Sequence, residues 1–201
     1  MILMDNQLEP LNPKNVAFIA VDLQKDLPMT YHPYPYATIT ENAGKLARAF
    51  EQAGALNVFF KVGTTDGKDM LNPIADRSMV AKGAADMGDR QKFDQLTSEL
   101  DCIKHALRIT KHQWGSFYGT ELDLQLRRRG IDTIVLSGVA TGFGVDTTAR
   151  EAYQHGYHII FAEDAMGALS AQEYEYEVNY IFPFMGRVRK TDDIINAGWS
   201  E

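Results

Sequence analysis

The chain has 201 residues, 45% of them hydrophobic, and a formal net charge of −7, enough material for one sizeable core in a single domain, residues 1–201. The acidic balance argues against a general binder of nucleic acid or of membrane surfaces, because both kinds of partner favour basic proteins. Cys102 is the only cysteine, which excludes an intrachain disulfide and leaves nothing that points to secretion.

Apolar runs alternate with helical patterns along the chain. Residues 16–23 (VAFIAVDL) form a nearly continuous apolar run, as expected of a strand buried on both faces. Ile39, Ala43, Leu46, Ala47 and Phe50 then recur at helical spacing, and Gly54 is placed to stop that helix. Residues 56–62 (LNVFFKV) read as a second strand. The stretch 63–88 is rich in Gly, Asp and Met without a clean period, and a loop of that length is usually a lid or the rim of a site.

Residues 107–110 are a short third strand. Thr120 with Asp123 resembles a capping box for a helix running to Gly130. The run Arg127-Arg128-Arg129 falls at that helix end, where cations complement the dipole, and reads as a solvated face. Residues 133–137 (TIVLS) are a fourth strand, and a helix after Gly144 carries Val145, Ala149, Ala152 and Tyr153 on one face before Gly156. Residues 158–162 (HIIFA) are strand five, followed by a tyrosine-rich helix after Ala171, a weak strand at 186–189 and a last helix from about Asp192. This β-α-β order, with no internal repeat or linker, predicts an α/β fold: a three-layer α/β/α doubly wound sandwich around a mainly parallel sheet.

In such sheets ligands bind beyond the carboxyl ends of the strands, at the switch point. Asp22 closes strand one, Lys111 follows strand three, and the turn from Gly138 to Gly144 follows strand four. A carboxylate, an ammonium and a helix start sharing one crevice make a candidate catalytic set: a proton donor or acceptor, a cation to tune it, and amides for an anion. Alone, each has a plainer reading as a cap, a solvated lysine or a common glycine turn. Their coincidence at strand ends favours function. Gly144 stands where a thiol would be activated by a helix start, so a thiol at that position is not the reagent here.

Around these residues the chain resembles the isochorismatase-like hydrolases of the cysteine hydrolase superfamily. The pieces that match are AFIAVDLQKDL around Asp22, ITKHQWGSFYGTELDLQLRRRGIDTIVLSGVAT around Lys111, and TTAREAYQHGYHIIFAEDA after Gly144. The resemblance spans residues 13–191. It implies a six-stranded, Rossmann-like sheet and a cis peptide between Ala140 and Thr141. By the same resemblance Asp22 is the general acid/base, Lys111 its electrostatic partner, and the amides of Thr141 and Gly144 an oxyanion hole.

Typical members place a nucleophilic Cys where this chain has Gly144, so a covalent acyl-enzyme route does not carry over. Isochorismatases are similar in having Gly there: an Asp protonates the enol carbon of a vinyl ether and water attacks the oxocarbenium ion. Those enzymes resemble one another in a Tyr-Ala-His segment where this chain has Ala140-Thr141-Gly142-Phe143, so the substrate is expected to differ from isochorismate. The nicotinamidase branch binds a metal through Asp-x-His after strand two; here KVGTTDGKD holds no histidine, and the five histidines form no ligand cluster. No metal and no other cofactor is expected.

Trp114, Phe117 and Tyr118 beyond Lys111, Tyr31, Tyr34 and Tyr36 beyond Asp22, and Phe143 beside Gly144 are candidate pocket walls, with loop packing or a subunit contact as the alternative. Of these, Trp114, Tyr118, Tyr34 and Phe143 join Ala140 and Thr141 as the expected substrate-contacting set. Cys102, before strand three, reads as a buried or inert thiol at the wrong end of the sheet. The helix AQEYEYEVNYIF carries more tyrosine than one core-facing stripe needs, which with the oligomeric habit of the family points to a homo-oligomer, a dimer or higher.

No stretch approaches the ~20 apolar residues that cross a bilayer, and the first residues lack a basic n-region; a cytoplasmic setting is expected. The leading expectation is a small-molecule hydrolase working without a thiol on a vinyl ether or a related C–O or C–N bond. Two alternatives stay open: a non-catalytic relative that binds a small molecule or assembles, and a Cys-to-Gly variant of an amide hydrolase.

Overall fold

The computed structural model describes residues 7–27, 29–66, 68–71, 73–77 and 94–200. Six strands form one sheet: β1 (Val16–Val21), β2 (Leu56–Val62), β3 (Ala106–Lys111), β4 (Thr133–Val139), β5 (His158–Gly167) and β6 (Arg187–Arg189). Their order is β3-β2-β1-β4-β5-β6 and every pairing is parallel. β1 lies at the centre, which is why VAFIAV carries no polar residue and is buried throughout. Phe18 and Ala20 face one core cluster; Ala17, Ile19 and Val21 face the other.

The first cluster is covered by α1 (Tyr36–Ala53) through Ile39, Ala43, Leu46, Ala47 and Phe50, with α2 (Ser98–Asp101) adding Leu100 and the C-terminal helix adding Ile194. α3 (Leu122–Arg128) covers the other face through Leu122 and Leu126. The chain after β4 makes a π-helical turn, Thr141–Val145, that runs into α4 (Asp146–Gln154), which adds Val145, Ala149 and Ala152 to that face. α5 (Ala171–Tyr176), a second π-helical turn (Glu177–Ile181) and α6 (Phe182–Met185) follow, with Phe182 stacked on Phe161 at 4.1 Å. α7 (Thr191–Asn196) closes the chain. The three-layer α/β/α class is as expected, and the sheet is wholly rather than mainly parallel. Among the described residues no helix is long and apolar enough to cross a membrane.

Several boundaries differ from the sequence reading, each for a local reason. The helix expected after Gly144 already begins at Thr141, so Gly144 lies inside its first turn. The N-cap of α3 is Glu121; Thr120, one residue earlier, accepts from Leu122 N–H at 3.2 Å, and Asp123 accepts from Tyr157 Oη at 2.7 Å and pairs with Arg127, so no capping box forms. β5 runs past Ala162 to Gly167 because its acidic residues find partners: Tyr34 Oη donates to Glu163 at 3.1 Å, and Thr191 donates to Asp164 through N–H and Oγ1, both at 2.7 Å. Gly138, at φ 125°, marks a register shift against β5; a Cβ there would lie 2.1 Å from Val21 O, which only glycine avoids.

The second π-helical turn buries a charge problem. Glu177 is buried, its Oε2 has no hydrogen-bond partner, and its carboxyl is pushed up to about 7 by burial and by the neighbouring Asp146 carboxylate, against the pull of Arg150. A raised pKa means the folded state holds the proton more tightly, so this group's contribution is intact at low pH and is lost as pH rises through about 7. Glu177→Gln is therefore expected to stabilise the protein by about 1–2 kcal/mol at pH 8 and to change little near pH 4, read by urea unfolding at both pH values.

Candidate active site

β1 and β4 are neighbours whose onward connections lead to opposite halves of the sheet, so the cleft beyond their carboxyl ends is the switch point. Asp22 leaves β1 with φ 54°, a left-handed conformation that Asp tolerates better than most residues, while its N–H donates to Phe60 O at 3.1 Å. Gln24, fully buried, ties the same chain end to β2 by donating to Val62 O at 3.1 Å and accepting from Val62 N–H at 2.8 Å.

Lys111 is the last residue of β3, two strands from β1, and its long stem brings Nζ to 2.7 Å from Asp22 Oδ2. The side chain is 1% exposed. Its other two protons go to Gln113 O at 3.0 Å and Trp114 O at 2.7 Å, so all three donors of the ammonium are committed. Lys111 therefore has no proton left over for a further partner in this arrangement.

Burial raises the Asp22 carboxyl above the ordinary range; the Lys111 charge and hydrogen bond oppose that rise. Asp22 Oδ1 is buried without a hydrogen-bond partner. An acid held against a low-dielectric wall with one free oxygen can give a proton to, or take one from, a bound molecule.

Gly144 closes the arrangement. A Cβ at that position would stand 3.3 Å from Asp22 Oδ2, 3.1 Å from Val21 Cγ1 and 3.3 Å from Val139 O. The missing side chain therefore leaves the carboxylate directly against the helix start. In the turn before it, the cis peptide is Val139–Ala140, one bond earlier than expected; the ladder to β5 also ends at Val139. Phe143 and Val145 donate to Ala140 O at 3.0 and 3.3 Å, and Gly142 donates to Glu173 Oε1 at 2.9 Å. The amides of Thr141 and Gly144 are not among these donors. Ala140 and Thr141 are buried, and Thr141 Oγ1 has no partner.

The aromatic candidates divide. The Trp114 ring meets Phe143 edge-on at 5.0 Å, placing both beside Gly144. The backbone here is tied to α4: Thr148 Oγ1 donates to Gly144 O at 2.6 Å and accepts from Ser116 N–H at 3.1 Å. Tyr118, by contrast, is 76% exposed and lines an outer groove of about 350 Å³ with Phe117, Arg150 and His155. Tyr34 turns to Glu163 and packs edge-on against Tyr174 at 6.1 Å. Tyr118 thus lies on the outer side of α4, and Tyr34 has a partner on β5.

Tyr31 lies within electrostatic reach of Asp22. It is buried, its ring lies 5.4 Å from that of Tyr36, and its hydroxyl is pushed up by burial and by the charge of Asp22. Tyr36 in turn donates to Gln24 O at 2.6 Å. The expected rim loop, 63–88, lies partly outside the described residues; its described part is held by Asp69, which accepts from Thr65 N–H at 3.0 Å, and by His112 Nδ1, 2.8 Å from Gly63 O. Cys102 stands at the amino end of β3, as expected, but at the end of α2 it is exposed rather than buried. Among the described residues no group of three His, Cys, Asp or Glu could hold a metal ion.

The fold and the site define a doubly wound α/β domain with a buried carboxylate–ammonium pair at its switch point. Residues 16–193 match the family model described as the isochorismatase domain, and the chain belongs to the isochorismatase family. It is 39% identical over 189 residues, 93% of this chain and 98% of the relative, to an uncharacterized isochorismatase family protein of Escherichia coli O157:H7, YecD. A similar protein of Bacillus subtilis, YwoC, is 39% identical over 183 residues, 90% of this chain and 93% of the relative. The solved structure of an isochorismatase family protein from Burkholderia thailandensis superposes with a TM-score of 0.85 at 33% identity, covering 95% of this chain and 98% of that one.

Proposed function

We propose that this protein is a small-molecule hydrolase that works without a thiol, with Asp22 as general acid and Lys111 as the cation that tunes it. The observation that carries the reading is the Asp22 carboxyl itself: buried, raised in pKa, with Oδ1 unpartnered and Oδ2 against Gly144. On a vinyl ether, Asp22 delivers its proton to the enol carbon and the C=C electron pair forms the new C–H bond. The ether carbon becomes an oxocarbenium ion, water adds to it, and the hemiketal collapses to a carbonyl compound and an alcohol while Asp22 regains a proton. The Thr141 and Gly144 amides are suited to an anionic group of the substrate, and Trp114 with Phe143 to an apolar wall.

A mass-spectrometric screen against vinyl ethers, carboxamides and ureas tests the reading. Turnover of vinyl ethers is expected. Binding without turnover of any of the three would favour the non-catalytic alternative, and turnover of amides alone would favour an amide hydrolase. Gly144→Cys addresses the last alternative from the other side. The new Cβ fits only if Val21 and Asp22 give by a few tenths of an ångström, so the variant is expected to fold and to lose about tenfold or more in vinyl-ether turnover through crowding of the acid. New amidase activity in that variant would instead reveal an amide-hydrolase pocket.

A homo-oligomer is part of the same reading. Tyr176, Tyr180 and Phe184 are exposed along one side of the helix that follows β5, more aromatic surface than water solvates well. Sedimentation of the parent and of Tyr180→Glu is the check, with a shift toward monomer expected in the variant.

A further inference from the structure

We propose that Glu173 is a positioning residue that sets the direction of the anion-binding amides, an inference that rests on the reading of the site above. Ser170 to Glu173 is a capping-box pattern, and Ser170 Oγ does accept from Glu173 N–H at 3.2 Å. In an ordinary capping box the acidic side chain turns back to the N–H of the capping residue. Here the carboxylate reaches further. Oε2 accepts from Leu169 N–H at 3.2 Å, and Oε1 accepts from Gly142 N–H at 2.9 Å, across 31 positions of sequence.

One carboxylate thereby joins the exit of β5, the start of α5 and the turn that holds Gly144. The fit is made from both sides. A Cβ at Gly142 would lie 2.7 Å from Glu173 Oε1 and 3.0 Å from Cδ, so glycine at this place leaves room for the acid rather than for a substrate.

The consequence is a sorting of the turn's donors. Phe143 and Val145 are spent on Ala140 O, and Gly142 is drawn to Glu173. Holding the Thr141–Gly142 peptide toward Glu173 anchors the plane next to the one that carries the Thr141 N–H and two before the one that carries the Gly144 N–H, and so restricts how both amides can turn. Removing the carboxylate frees the Gly142 N–H to compete for the same anion and lets the turn relax. Preorganised donors of this kind lose much of their effect when their direction is no longer fixed. Glu173 touches no reacting atom in this scheme; it acts through the turn.

The test uses the full chain in three variants. Glu173→Ala removes both acceptors, Glu173→Gln keeps one, and Gly142→Ala displaces the carboxylate from the opposite side. With Glu173→Ala, the amide resonances of Thr141 and Gly144 are expected to shift while those of β1 and β2 stay, and kcat on a vinyl ether to fall about tenfold or more with KM within about threefold. The midpoint of the pH profile, set by Asp22, should stay in place. Glu173→Gln should recover part of kcat, and Gly142→Ala should reproduce the effect of Glu173→Ala. Unshifted Thr141 and Gly144 resonances, or an unchanged kcat, would overturn the proposal. A parent inactive on every vinyl ether would defeat the hydrolase reading instead, and the amide resonances would then decide the role of Glu173 by themselves.

Discussion

Replacing Asp22 with asparagine is expected to lower kcat/KM on a vinyl ether by about 10²–10⁴-fold, the usual contribution of a positioned general acid. Asparagine keeps the shape and an oxygen for Lys111, while the ammonium retains its bonds to Gln113 O and Trp114 O. The fold should therefore survive, and a thermal melt separates lost chemistry from lost structure. Binding should change much less than turnover, because the proton matters only as the transition state forms. Turnover equal to the parent's would remove Asp22 from the acid role.

Lys111→Met is expected to move the pH profile upward and to destabilise the protein most at high pH. Burial raises the Asp22 carboxyl and Lys111 opposes it, so without the ammonium the carboxyl titrates at a higher pH still. The protonated acid is the working form, so kcat/KM is full below the Asp22 pKa and falls as pH rises through it; the midpoint of that fall should shift up in the variant. Stability follows the same sign: the folded state holds the proton more tightly, so the contribution of Asp22 is intact at low pH and is lost above its folded pKa. Breaking a buried pair costs about 3–5 kcal/mol when the remaining charge cannot neutralise. That loss should be larger at pH 8 than at pH 5, because protonation neutralises the Asp22 carboxyl as pH falls. Urea unfolding at the two pH values reads it, and equal losses at both would mean that Lys111 does not govern the Asp22 charge.

Asp22, Lys111 and Gly144 were legible in the sequence because each lies at or just beyond the carboxyl end of a strand, and strand ends in a parallel sheet converge by topology. The centre of the fold was legible from its composition: VAFIAV has no polar residue, and TIVLSGV has only Thr133 at its start and Ser137, without the alternation that a surface strand would show. Side chains whose partners lie far along the chain were not. Glu173 reads locally as a cap, and nothing in its neighbourhood marks Gly142 as its second partner. The polar residues Glu163 and Asp164 look like the end of β5 until Tyr34, Tyr174 and Thr191 are brought to them. The segment YHPYPY carries three tyrosines without a period, and only packing against α1 and β5 decides that Tyr31 faces inward and Tyr34 toward Glu163. Tyr118 follows Lys111 closely in sequence, yet the loop carries it to the outer side of α4.

The central claim is that Asp22 gives its proton to carbon, and isotope incorporation tests it most directly. Hydrolysis of a vinyl ether in D₂O should place deuterium on the former enol carbon of the carbonyl product, and Asp22→Asn should abolish that incorporation together with cleavage. Cleavage that leaves this carbon free of deuterium, or incorporation that persists undiminished in Asp22→Asn, would contradict the account.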